Sequence, residues 1–187
     1  GQLTNINVSL KADDVKQFGQ ISGSGFDKQL LLWDKMFNLD ASKYEKQYYE
    51  YIKQQDVLGA IGYVYKGIVS DFNKAAVSKK SELTKSISKG IRYFATLHEP
   101  NVTLVQLTKQ EAQVYQFDNL EKLLSSTKLK ATYASTKATP EIIISDDKNN
   151  ILLHVRVKRE LKPNGTYIRN YIEKGGLLTT LASYMAK

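Results

Sequence analysis

Residues 151–176 read ILLHVRVKRELKPNGTYIRNYIEKGG, and a two-residue alternation runs through the first third of them. Ile151, Leu153, Val155 and Val157 occupy one set of positions; Leu152, His154, Arg156 and Lys158 occupy the other. Successive side chains of a strand point to opposite sides of a sheet, so this spacing predicts a strand that buries one face and holds a row of nitrogen donors on the other. Two readings of that row compete: an edge strand whose charges discourage aggregation, and a strand that meets phosphates or base edges. Pro163, Asn164 and Gly165 should close the strand. Beyond them the sequence predicts a helix over 167–174, a stop at Gly175 and Gly176, and a last helix over 177–185.

Working outward, residues 141–145 pair naturally with 151–160 across a turn at 146–150, and residues 102–107 pair with 113–117 as a second hairpin. At the start, TNINVSLK (residues 4–11) alternates Ile6, Val8 and Leu10 against Asn7, Ser9 and Lys11 and predicts a strand. A turn at 12–14 and a short helix over 15–20 follow, then a loop at 22–25. Phe26, Leu30, Trp33 and Phe37 recur at helical spacing and predict a buried stripe. The next helix has Ser42 as its cap and Tyr44, Tyr48, Tyr51 and Ile52 along one side; such a stripe is more often core than a stacking surface for bases. A further helix carries Leu83, Ile87, Ile91 and Phe94 on its buried line. From Lys74 to Arg92 it sets six basic residues against Glu82 alone, which suits a helix tracking phosphates as well as a solvated one.

Composition sets limits on function. With 187 residues, 42 % of them hydrophobic, the chain is long enough to bury one core, and a single domain over 1–187 is expected. No apolar run approaches the roughly 18 residues of a membrane span and no signal-peptide pattern is present, so an intracellular, cytoplasmic protein without membrane contact is expected. The absence of Cys excludes disulfides, thiolate metal ligands and a cysteine nucleophile. The net charge of +8 is unevenly placed. Residues 1–70 carry 8 Lys and Arg against 8 Asp and Glu, whereas residues 71–187 carry 19 against 11. A basic excess of this kind favours a polyanion as partner.

Two segments resemble a known family. TNINVSLKADDVKQFGQISG (residues 4–23) resembles the catalytic-lysine strand and following helix of type II restriction endonucleases of the PD-(D/E)XK nuclease superfamily. LLHVRVKRE and NGTYIRNYIEKGGLL are similar to a strand and turn-helix near the end of several such enzymes. The resemblance implies an α/β or α+β fold, with a mixed β-sheet flanked by helices, and Mg²⁺-dependent cleavage of double-stranded DNA. It places Lys11 and Ser9 at the catalytic positions, Ser9 standing where the pattern usually has an acid. Metal-activated phosphodiester cleavage needs carboxylates to hold Mg²⁺, and no acid precedes Lys11. Asp13 and Asp14 are the nearest candidates; on the turn at 146–150, Asp146 and Asp147 read better as turn residues. A homodimer or a partner chain is an alternative source of the missing carboxylate, and a Gly at position 1 suits a chain beginning at a boundary.

Recognition has more candidates than catalysis. Arg and Lys read guanine in the major groove, and Asn and Gln read adenine. His154, Arg156, Lys158 and Arg159, then Arg169 and Asn170 at the expected helix start, supply both kinds of donor, with Glu173 one helical turn from Arg169. Gln17 and Gln20, also one helical turn apart, suit orienting water or touching the backbone, and Lys85 and Lys89 suit contacting phosphates. The favoured expectation is sequence-specific cleavage of duplex DNA. A non-catalytic DNA-binding module, or one part of a split nuclease, is the alternative, and an RNA-binding or structural protein the third.

Overall fold

A computed structural model describes residues 7–12, 17–23, 25–96, 102–107, 109, 111–115, 120–136, 139–162 and 165–173. The architecture is α+β. Strands β1 (Asn7–Ala12) and β2 (Gln17–Gly23) precede a helical block, and β3 to β8 follow it. In place of the single mixed sheet expected, the described strands form two sheets. β1, β3 (Val102–Leu107) and β4 (Ala112–Tyr115) make a three-stranded sheet in the order β1-β3-β4, with β1 parallel to β3 and the β3–β4 hairpin antiparallel. The larger sheet is antiparallel throughout, in the order β2-β8-β7-β6-β5, with β5 at Lys130–Thr136, β6 at Thr139–Ser145, β7 at Ile151–Lys162 and β8 at Gly165–Glu173.

The helical block covers the core of this larger sheet. A short helix α1 (Asp27–Leu30) runs straight into a π-turn over Leu31–Met36. Asn38 ends it at φ 54°, in the left-handed region that Asn tolerates better than most residues. Phe26, Trp33 and Phe37 are buried as the spacing predicted. A 3₁₀ turn (Ser42–Tyr44) leads into α2 (Glu45–Lys53). Ser42 does not cap it; its hydroxyl donates to Asp40 instead. Of the tyrosine stripe, Tyr48 is buried, and Tyr44, Tyr51 and Ile52 pack half-buried against the core.

Helix α3 (Val57–Ser78) is the longest element of the block, and the sequence reading passed over it. Asp56 caps it, its carboxylate accepting from the Gly59 N–H at 2.8 Å. Ile61, Val64, Tyr65, Ile68 and Phe72 recur three or four residues apart and are all buried. Removing such side chains from water contributes roughly 1.5–3 kcal/mol apiece before ordering costs, so this line, packed on β5 and β6, anchors the helix to the sheet. Helix α4 (Lys80–Thr96) buries Leu83, Ile87 and Ile91 as expected and contacts α5 (Leu120–Ser126) and β2.

From Leu153 onward strand β7 holds the alternation read from the sequence; Leu152, expected on the outer set, is instead buried, and Ile151 is only partly buried. Leu153, Val155 and Val157 are buried, while His154 and Arg156 are partly exposed and Lys158 is exposed. Its hairpin with β6 forms as anticipated, and the observed register, shifted between Ile144 and Ser145, sets Glu141 opposite Arg156 and Ile143 opposite His154. Asp146 holds the turn: its carboxylate accepts from the N–H groups of Lys148 (2.9 Å) and Asn150 (2.7 Å) and from the Asn150 side chain (2.7 Å). That agrees with the turn reading of this residue.

Two expected helices are strands. Residues 17–23 form β2, paired with β8, in place of a helix over 15–20. Two glycines and a β-branched Ile in QFGQISG weaken a helix, and β8 supplies the backbone hydrogen bonds. Residues 165–173 form β8, because β7 pairs antiparallel with the β-favouring run TYIRNYIE, from Lys162 opposite Gly165 to Val155 opposite Ile172. Gln17 and Gln20 are therefore three residues apart along a strand, not one helical turn. Arg169 and Glu173 are likewise separated by about 13 Å of strand. Residues 174–187, with the expected stop and last helix, lie outside the described residues, as do Asp13 and Asp14. Among the described residues, no helix is long and apolar enough to cross a membrane.

Candidate nucleic-acid interface

Strand β7 is the middle of the larger sheet, so its neighbours decide what its polar positions face. Pairing puts Gln20, Tyr171, Arg156 and Glu141 in one row across β2, β8, β7 and β6, and Ser22, Arg169 and Lys158 in the next. The fold thus brings four of the expected recognition residues, Gln20, Arg156, Lys158 and Arg169, to adjacent register positions, although they are up to 149 residues apart in sequence. Gln20 and Lys158 are exposed. Arg159 stands one position further along β7, opposite Ile168.

Glu141 changes the meaning of the row. Its carboxylate is only 8 % exposed, and it meets His154 Nε2 at 3.0 Å through one oxygen and Arg156 Nε at 3.0 Å through the other. The His contact is a hydrogen bond; the Arg contact is an ion pair that lies off the Nε–H direction. A buried carboxylate without partners is costly, and the hydrogen bond to His154 and the ion pair with Arg156 offset that cost. The pair is reciprocal: His154 and Arg156, at 20 % and 34 % exposure, are held at fixed positions on the sheet instead of projecting freely into solvent. Sequence reasoning missed Glu141, yet the signal was there. It is the one acid in the otherwise apolar run EIII, but its place opposite Arg156 depends on a register shift between Ile144 and Ser145 that the hairpin pattern alone does not predict.

Asn170 has a different fate from its neighbours in the motif. It is 1 % exposed, on the core side of β8 between Ile21 and Val157. Its Oδ1 accepts from Tyr65 Oη at 2.8 Å and from Gln29 Nε2 at 3.2 Å, and Gln29 Oε1 in turn accepts from Trp33 Nε1 at 3.2 Å. Asn170 therefore ties β8 to α1 and α3. It is not a base-reading donor: as a strand residue on the buried side, it has no exposure to a groove.

On α4, Lys85 and Lys89 are exposed as expected, along with Lys79 at its start and Lys74 near the end of α3. None of the four makes an ion pair among the described residues. Lys85 and Lys89 lie one turn apart on α4, away from its buried line of Leu83, Ile87 and Ile91, and exposed lysines of this kind attract polyanions and repel other cations.

The residues expected to be catalytic sit elsewhere. Ser9 and Lys11 are two positions apart on β1, opposite Leu104 and Gln106 of β3 in the smaller sheet. Among the described residues no three His, Asp or Glu side chains gather as a metal cluster, and the buried Glu141 is taken up by His154 and Arg156. No protein-family model, curated protein or solved structure matches the chain.

Proposed function

We propose that this chain is a restriction-endonuclease-like domain that binds double-stranded DNA, with α4 contacting phosphates and the outer positions of β7 reading the groove. The observation that carries the reading is the set of exposed lysines Lys74, Lys79, Lys85 and Lys89, which have no ion-pair partner among the described residues. Most of the affinity of a DNA-binding protein comes from such phosphate contacts, while specificity comes from base edges. Arg156, fixed by Glu141, is suited to the second task because a held guanidinium meets a guanine with less ordering cost.

Cleavage belongs to the strand of Ser9 and Lys11 on this reading and follows from the family resemblance of residues 4–23. A binding module without its own activity is favoured by a separate observation, the commitment of Glu141 to His154 and Arg156. Incubation of supercoiled plasmid with the protein and Mg²⁺ separates the two. Nicking or linearisation that disappears in Lys11→Ala, with duplex affinity retained, establishes the nuclease. Full duplex affinity with no cleavage establishes the module, and absence of duplex binding overturns both.

A further inference from the structure

A cavity of about 370 Å³ opens between α2, the first turns of α3 and the edge strand β5, away from the β7 row. Its walls carry three tyrosines, Tyr51, Tyr63 and Tyr133, with Lys66, Asp56 and Ser135 among the polar groups around them. Tyr51 and Tyr63 pack on each other with ring centroids 6.0 Å apart, and the Lys66 ammonium lies 5.2 Å from the centre of the Tyr133 ring. Gly59 and Gly62 of α3 also line the cavity. A β-carbon at Gly62 would come within 3.1 Å of the Tyr133 hydroxyl, so the missing side chain lets the ring lie close to the helix.

The chemistry around the cavity selects its occupant. The N-terminal end of α3 would favour an anion, but the Asp56 carboxylate already accepts the Gly59 N–H there and opposes a second negative charge. An ammonium ligand is opposed by Lys66, which already holds the face of Tyr133. What remains is a neutral, flat ring with hydrogen-bonding edges. The hydroxyls of Tyr51, Tyr63, Tyr133 and Ser135 make no hydrogen bond among the described residues and are able to meet such edges. The volume falls within the few hundred Å³ typical of small-ligand sites.

We infer that this cavity is a nucleobase-binding site, in which a base stacks on the Tyr51–Tyr63 wall and its edge meets the tyrosine hydroxyls. The site is separate from the proposed duplex surface and does not depend on it. A base in this position comes either from a free nucleoside or from an unpaired nucleotide of a single strand. Base stacking on an aromatic side chain is worth enough to change affinity by roughly 5- to 150-fold per base.

The test is binding of adenosine and of a fluorescently labelled single-stranded oligodeoxynucleotide to the whole chain and to two variants. Tyr63→Ala removes an exposed wall, and Ser135→Trp fills the mouth from an exposed position on an edge strand. Both should remain folded, Tyr63→Ala with a melting temperature only a few degrees lower for the lost contacts with Tyr51 and Tyr44, and both should weaken binding about tenfold. Loss for adenosine and strand alike identifies a free-nucleoside site, and loss for the strand alone identifies a single-strand reader. Duplex affinity, measured alongside, should not change in either variant. Failure of both ligands to bind the wild type, or unchanged affinity in both variants, overturns the inference whatever the duplex result.

Discussion

Two polar clusters on neighbouring strands use similar residues for opposite ends. Around Asn170, amide and hydroxyl groups from β8, α1 and α3 close on one another at 1 % exposure of the asparagine. Around Glu141, one buried carboxylate draws in His154 and Arg156 on the side of the sheet where Gln20 and Lys158 are exposed. In the RNYIE and HVRVKRE segments the donors look interchangeable. The parity of the strand position separates them: Asn170 shares the side of Val157 and Ile21, and Arg156 the other. The first cluster fastens the fold, and the second holds His154 and Arg156 at fixed positions on the sheet.

Breaking the inner cluster should have the largest effect. Asn170→Leu strands the Tyr65 hydroxyl and the Gln29 amide without their acceptor, at about 1–3 kcal/mol for each buried group left unsatisfied. We expect a loss of roughly 3 kcal/mol in chemical denaturation, with duplex selectivity unchanged at temperatures where the variant is folded. A variant as stable as the wild type but altered in selectivity would mean that the two clusters had been assigned the wrong way round.

The same inner region should respond to alkali. Burial raises the Tyr65 hydroxyl well above its ordinary range and pushes Tyr48 up to about 12; burial, then the hydrogen bond to Asp71, raises Tyr44 as well. A raised folded value means that the native state holds its protons longer than the unfolded chain. The stabilisation is therefore complete below about pH 10, where free tyrosine ionises, and is lost as pH climbs through the folded values. Denaturation midpoints followed by circular dichroism should hold steady up to about pH 10 and fall above it. Tyrosine absorbance should show these groups ionising together with unfolding, and ionisation in the folded state would contradict their burial.

The outer cluster should yield a smaller, different change. Arg156→Ala should cost about 1–2 kcal/mol of stability, because the partly exposed arginine is screened on its own side of the ion pair but the buried Glu141 carboxylate loses one of its two partners. In selection from a random duplex pool it should cost roughly 1–3 kcal/mol of discrimination at one base pair. An unchanged selected motif would reduce the Glu141 cluster to a structural cross-strand pair.

The parts of the molecule that the sequence made legible share one property: the local pattern and the final environment agree. The alternation in β7 survived because one face does pack on the core, and Leu83, Ile87 and Ile91 on α4 survived for the same reason. Residues 17–20 and 167–173 read as helical because strand pairing between segments nearly 150 residues apart supplied what local spacing could not show. Helix α3 was legible in principle from Asp56 and the run Ile61, Val64, Tyr65, Ile68 and Phe72. The donors of the candidate interface were found as residue types, but which of them faced outward depended on register. Asn170 was lost to the core for that reason, and Glu141 emerged as the residue that orients its neighbours.

The central claim is that exposed lysines of α4 neutralise DNA phosphates, and the salt dependence of duplex affinity tests it most directly. Each phosphate contact releases counterions and adds about 0.9 to the slope of log affinity against log salt. Fluorescence anisotropy across a series of salt concentrations should give a steep fall for the wild type. In the double variant Lys85→Ala, Lys89→Ala the slope should be shallower by about 2, with every sequence weakened alike. A flat wild-type line, or an identical slope in the double variant, would contradict the account.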